Sequence, residues 1–92
     1  MRIYYKESVE IRNREMNIEV LDLEGDKLLD LVFDKRNLSD LQSLIKFTQH
    51  LSDVKYSNYI ELHGDPCSRN KLLMCVKDWI KEYNPVMHEF LR

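Results

Sequence analysis

Apolar and polar residues alternate along the first third of the chain. Ile3, Tyr5, Val9 and Ile11 share one parity; Arg2, Tyr4, Lys6, Glu10 and Arg12 share the other. Successive side chains of a strand point to opposite faces, so period two predicts a half-buried strand over residues 2–12. Asn13-Arg14-Glu15 reads as a turn. Alternation resumes over residues 16–22, with Met16, Ile18 and Val20 inward and Asn17, Glu19 and Leu21 outward. Glu24-Gly25-Asp26 then reads as a short hairpin connection, its glycine free to take positive φ. The third strand, residues 27–34, sets Leu29, Leu31 and Phe33 against Leu28, Asp30, Val32 and Asp34.

The period then changes. Leu38, Leu41, Leu44, Ile45, Thr48 and Leu51 recur at three-and-four spacing, the stripe of an amphipathic helix. Asn37 is placed to cap it, and Asp40 suits its positive end. The helix should end near Ser52-Asp53. Residues 58–63 read as a fourth strand with Ile60 and Leu62 inward. Asp65-Pro66 reads as the start of a second helix, a cap followed by a first-turn proline. Leu72, Cys75, Val76, Trp79, Ile80 and Tyr83 form its apolar side. Asn84-Pro85 stops it, and Met87, Phe90 and Leu91 suggest a final turn that packs back.

The order β-β-β-α-β-α predicts an α+β domain: a two-layer sandwich of a four-stranded mixed sheet with both helices on one face. The first three strands form a meander, and the fourth returns through a right-handed crossover. The chain of 92 residues holds one domain, residues 1–92, and buries roughly 60–70% of its unfolded surface. The composition, 43% hydrophobic and 33% charged, is that of a globular protein rather than a disordered one. No apolar run approaches the ~18 residues of a membrane span. MRIYYKESVE carries no apolar signal core, and cytoplasmic location is the expectation. Cys67 and Cys75 are expected reduced, two turns apart on the second helix and too distant to bridge. There is no alanine, while Lys, Ile, Asn, Asp and Tyr abound. That bias suggests an AT-rich coding sequence, as in a low-GC bacterium or a bacterial virus.

Charge is distributed unevenly. Residues 15–34 hold seven acids (Glu15, Glu19, Asp22, Glu24, Asp26, Asp30 and Asp34) against Lys27, a net of −6. The rest holds nine acids and thirteen bases, a net of +4. An acidic hairpin on a mildly basic body can steer a positively charged partner. Glu19, Asp30 and Asp34 share a strand face with Leu21, Leu28 and Val32, and an apolar centre with a charged rim is the anatomy of an interface. The competing reading is a solvated face whose acids pair with Arg2, Lys6 and Arg12 across the strands.

Other chemistries are weaker in the sequence. Cys67, in HGDPCSRN, falls in the first turn predicted for helix two, where a thiol is acidified and an anion attracted. His63 would be its base, giving a small enzyme. It has neither a second cysteine at C-x-x-C spacing nor a glycine-rich loop. His63, Cys67, Cys75 and His88 match zinc ligands by type, but their spacing fits no compact zinc pattern. Asp22, Glu24, Asp26 and Asp30 lack the spacing of an EF-hand loop. Tyr4 and Tyr59 beside Arg2 and Lys6 could stack nucleic-acid bases, against which the acidic hairpin argues. No cofactor and no metal are expected.

The length, the absence of alanine and the acidic stretch 15–34 make the chain resemble the small DNA-mimic inhibitors that phages direct against restriction enzymes. The T-even phage anti-restriction nuclease protein is one of these. The resemblance implies carboxylates spaced like duplex phosphates and a DNA-binding or restriction protein as target. The expected function is therefore non-enzymatic: Glu19, Asp22, Glu24, Asp26, Asp30 and Asp34 dock on a basic protein, with no direct contact to nucleic acid or membrane. Tyr4, Leu21, Leu28, Val32 and Tyr59 form an open apolar surface suited to that partner or to a homodimer.

Overall fold

A computed structural model describes residues 5–51 and 59–83, without the side chains of His50, Leu51 and Tyr83. Its elements are β1 (Lys6–Ile11), β2 (Glu15–Leu21), β3 (Lys27–Asp34), α1 (Leu38–Leu51), β4 (Tyr59–Leu62), β5 (Asp65–Pro66) and α2 (Arg69–Tyr83). They form an α+β structure with two helices and a mixed five-stranded sheet of order β3-β2-β1-β4-β5. β1, β2 and β3 pair antiparallel as a meander, and β4 joins β1 in parallel. Tyr4, residues 52–58 and the tail with Met87, Phe90 and Leu91 lie outside the described residues, as does His88.

Alternation sends the apolar phase of each strand to one face. Val9, Met16, Ile18, Phe33 and Ile60 meet Leu41 and Leu44 of α1 and Leu72, Val76, Trp79 and Ile80 of α2 in one core. Glu7 shares that face and is only 3% exposed, paired in register with Val20 and Ile60. It is the one charged residue in the inward phase of the described β1. Tyr5, expected inward, is 42% exposed; it precedes the first strand residue, and its carbonyl accepts from the Tyr59 amide at 3.0 Å.

α1 begins as expected. The Asn37 side chain accepts from the Asp40 amide at 3.3 Å. Asp40 in turn accepts from the Asp34 amide at 2.9 Å, tying the end of β3 to the helix. Thr48 is buried because its hydroxyl donates to the Leu44 carbonyl at 2.8 Å. Trp79, at 4% exposure, donates from Nε1 to the Arg12 carbonyl at 2.8 Å, joining α2 to the β1–β2 turn. The Lys35 ammonium lies 5.8 Å from the Trp79 ring centroid on the same side of the core.

The start of α2 differs from expectation. Asp65 and Pro66 are not its first turn but a fifth strand, antiparallel to β4. His63 and Gly64 have φ of 52° and 82°, the two left-handed positions of a tight hairpin turn. Cys67 extends the ladder by donating its amide to the Ile60 carbonyl at 2.8 Å. Proline is tolerated in β5 because this strand lies at the sheet edge. The cap is Ser68, whose hydroxyl accepts from the Lys71 amide at 3.2 Å.

A second departure lies in β3. Val20 faces Leu29 but Leu21 faces Lys27, so Leu28 is an extra residue on the bulged strand. The bulge puts Lys27 opposite Leu21 on the outer face. At this end the hairpin outruns the helical layer: Leu28 and Leu29 are 54% and 46% exposed.

Gly64→Ala should destabilise the fold by about 1 kcal/mol, the cost of a Cβ in the left-handed region, since no atom lies within 4 Å to clash. Leu72→Ala, which empties a fully buried position, should cost about 2–5 kcal/mol. Urea unfolding of both variants checks the ranking.

Candidate docking face and acidic hairpin

Strand register lays out the outer face in rows. One row crosses the sheet as Lys27, Leu21, Lys6 and Tyr59. The next crosses as Asp30, Glu19, Ser8 and Glu61. The cations of the first row reach into the second. Lys27 Nζ lies 3.3 Å from Glu19 and 3.2 Å from Asp30. Lys6 Nζ lies 2.8 Å from Glu61. Asn17, one row further, donates to Asp30 at 2.7 Å.

Asn17 first, then Lys27, hold the Asp30 carboxyl below its ordinary range. Asp30 and Glu19 in turn hold the Lys27 ammonium above its own. Lys6 lowers Glu61 in the same way. Partial desolvation, with Glu61 adjacent, raises the Tyr59 hydroxyl. Of the four residues offered for base stacking, Tyr59 and Lys6 are thus both engaged with Glu61, and Tyr4 and Arg2 lie outside the described residues.

The six acids predicted to bind a partner fall into three groups. Glu19 and Asp30 share Lys27. Asp34 meets Arg14 at 3.4 Å and Arg36 at 3.8 Å, and its Oδ1 accepts from the Arg36 amide at 2.8 Å. The cations that meet the strand acids are therefore Lys27, Arg14 and Arg36, rather than Lys6 or Arg12; Arg2 lies outside the described residues. The third group is the hairpin tip. Asp22 Oδ1 accepts from the amides of Glu24 and Asp26, both at 2.9 Å, and so builds the turn. Gly25, at φ 89°, closes it by donating to the Asp22 carbonyl at 3.1 Å. This draws oxygens of Asp22, Glu24 and Asp26 within 4.8 Å of one another, close enough to meet one cation. Among the described residues no ion pair neutralises these three.

A groove of about 500 Å³ runs from this tip onto the outer face, lined by Lys6, Leu21, Asp22, Leu23, Glu24, Gly25 and Tyr59. It joins two of the predicted acids to two of the predicted apolar residues, Leu21 and Tyr59. Leu23, which sequence reasoning passed over, stands beside it at 69% exposure. A leucine between two acids in a turn is the signal that could have found it. Val32, at 55% exposure, lies apart on β3.

The Cys67 site is not assembled. The residue precedes α2, its thiol donates to the Ser68 carbonyl at 3.3 Å, and burial raises its pKa. His63 Nδ1 lies 2.8 Å from Glu10 Oε2 instead. His63 also lines a separate open cleft with Cys75, Asp78 and Trp79. Among the described residues no helix is long and apolar enough to cross a membrane. No family model, curated protein or solved structure matches the chain.

Asn17→Ala should raise the Asp30 pKa toward the ordinary carboxylate value, as read by carboxyl NMR titration. Because the folded value is depressed, the stability it contributes is present at neutral pH and lost as pH falls through it. A flat comparison between wild type and variant would refute this assignment.

Proposed function

We propose that this is a non-enzymatic binding protein whose β2–β3 hairpin tip docks on a basic protein surface. The observation that carries this reading is the groove in which Asp22 and Glu24 meet Leu21, Leu23 and Tyr59. Carboxylates left without a cation attract a Lys or Arg side chain, and the adjacent apolar wall covers its stem. Glu19 and Asp30 share the single cation of Lys27 and Asp34 meets Arg14 and Arg36, whereas the tip acids have none, so the tip supplies the strongest attraction. Glu19, Asp30 and Asp34 extend the negative field without being its focus. In the narrower form of the proposal the partner is a DNA-binding or restriction protein, and the tip carboxylates stand in for phosphates.

The test is capture of proteins from bacterial lysate by the tagged chain and by the triple variant Asp22→Asn, Glu24→Lys, Asp26→Lys. Asparagine keeps the turn-building oxygen at position 22, so the tip changes charge and not shape. Capture should disappear in the variant and weaken about tenfold or more between low and high salt, since exposed charges are screened. Competition by duplex DNA is the mark of the narrower form. Equal capture by the variant would sink the docking role of the tip.

A further inference from the structure

We infer that the free edge of β3 receives an extended segment of the partner as an added antiparallel strand, one in which Lys or Arg alternates with apolar residues. This rests on the docking reading above and names the chemistry of the segment.

The strand order leaves β3 at one edge of the sheet, with no neighbour among the described residues beyond it. Its backbone directions follow from two bonds. The Lys35 amide donates to the Arg14 carbonyl at 3.1 Å, toward β2. The Asp34 amide donates the other way, to Asp40. In an antiparallel ladder these directions alternate residue by residue. Phe33, Leu31 and Leu29 therefore bond to β2, and Val32 and Asp30 aim their amides and carbonyls at the open edge. The outward groups of Asp34 are already used by Asp40 and Asn37. Two consecutive outward positions thus form a template for a short added strand.

The side chains of β3 select the occupant. Leu29, Leu31 and Phe33 occupy its inner phase, with Leu29 46% exposed. Asp30, Val32 and Asp34 occupy its outer phase, and the acidic tip lies beyond Lys27. A strand laid alongside meets the first set with apolar residues and the second with a cation for Asp30, which only shares Lys27 with Glu19. A second copy of β3 does not. Two-fold pairing centred on residue 30, 31 or 32 sets Asp30 opposite Asp30, Val32 or Asp34 of the copy, and never opposite a cation. The registers centred on 30 and 32 oppose like charges, which destabilises a pair, and the one centred on 31 sets Asp30 against Val32 and gives it no cation; a basic segment of another protein supplies one.

The probes are two eight-residue peptides, one alternating Lys with Val and one alternating Glu with Val, added to the isotope-labelled protein. The Lys–Val peptide should bind and slow hydrogen exchange at the Asp30 and Val32 amides, and the Glu–Val peptide should do neither. Val32→Pro removes one outward donor and no ladder bond, and should weaken the Lys–Val peptide by about tenfold. If that variant fails to fold by circular dichroism, exchange at the two wild-type amides decides. Binding that the tip variant abolishes while the Asp30 and Val32 amides stay unprotected overturns strand addition and leaves tip docking standing. Protection of both amides that survives in the tip variant overturns tip docking as its basis. Absence of Lys–Val binding overturns the inference outright.

Discussion

Both helices bury their apolar stripes on the same face of the sheet, and the rest of the structure is arranged around that packing. The core runs from Val9, Met16 and Phe33 to Leu44, Leu72 and Ile80. It is anchored at one end, where Trp79 bonds the β1–β2 turn and Asp40 holds the last residue of β3. At the other end the β2–β3 hairpin extends past the helices, and Leu23, Leu28 and Leu29 are left about half exposed or more. A short chain with two helices cannot roof every strand from end to end. The uncovered part is where surface is left for recognition.

The electrostatics follow the same geometry. Strand register brings cations and carboxylates into adjacent rows on the outer face, so Lys27 serves both Glu19 and Asp30 and Lys6 serves Glu61. Exposed pairs of this kind contribute little to stability. Their effect is to reduce the charge on the flat of the sheet. The turn escapes this reduction because its five residues have no cross-strand neighbours to supply a cation. The net charge of the stretch is therefore a poor guide to where its field is strongest.

Most of the architecture was readable from periodicity. The three strands of the meander, the fourth strand and both helices follow from apolar spacing, and Asn37 was recognisable as a cap, but Leu38, counted in the stripe of α1, is 55% exposed. What periodicity missed was local. The bulge at Leu28 shifts the phase of a strand by one residue without altering composition. Asp65-Pro66 fits a helix start as well as an edge strand, and the deciding signal was His63-Gly64 just before it, a two-residue turn. Glu7 occupied an inward position that the alternation around it marked as buried. The candidate site was legible as a stretch, not as individual roles. Sequence spacing showed seven acids together but not that Lys27, Arg14 and Arg36 reach three of their carboxylates, or that Asp22 is spent on its own turn.

Trp79 is the only tryptophan of the chain, and it sits at the anchored end of the core. Its indole is excluded from water and bonded to the backbone of the turn between β1 and β2. Its fluorescence is therefore an intrinsic optical gauge of whether α2 stays seated on that turn. The acidic hairpin lies at the far end of the sheet, outside the view of this chromophore. Unfolding and hairpin occupancy should accordingly give separable signals: a red shift in emission for the first and a silent spectrum for the second.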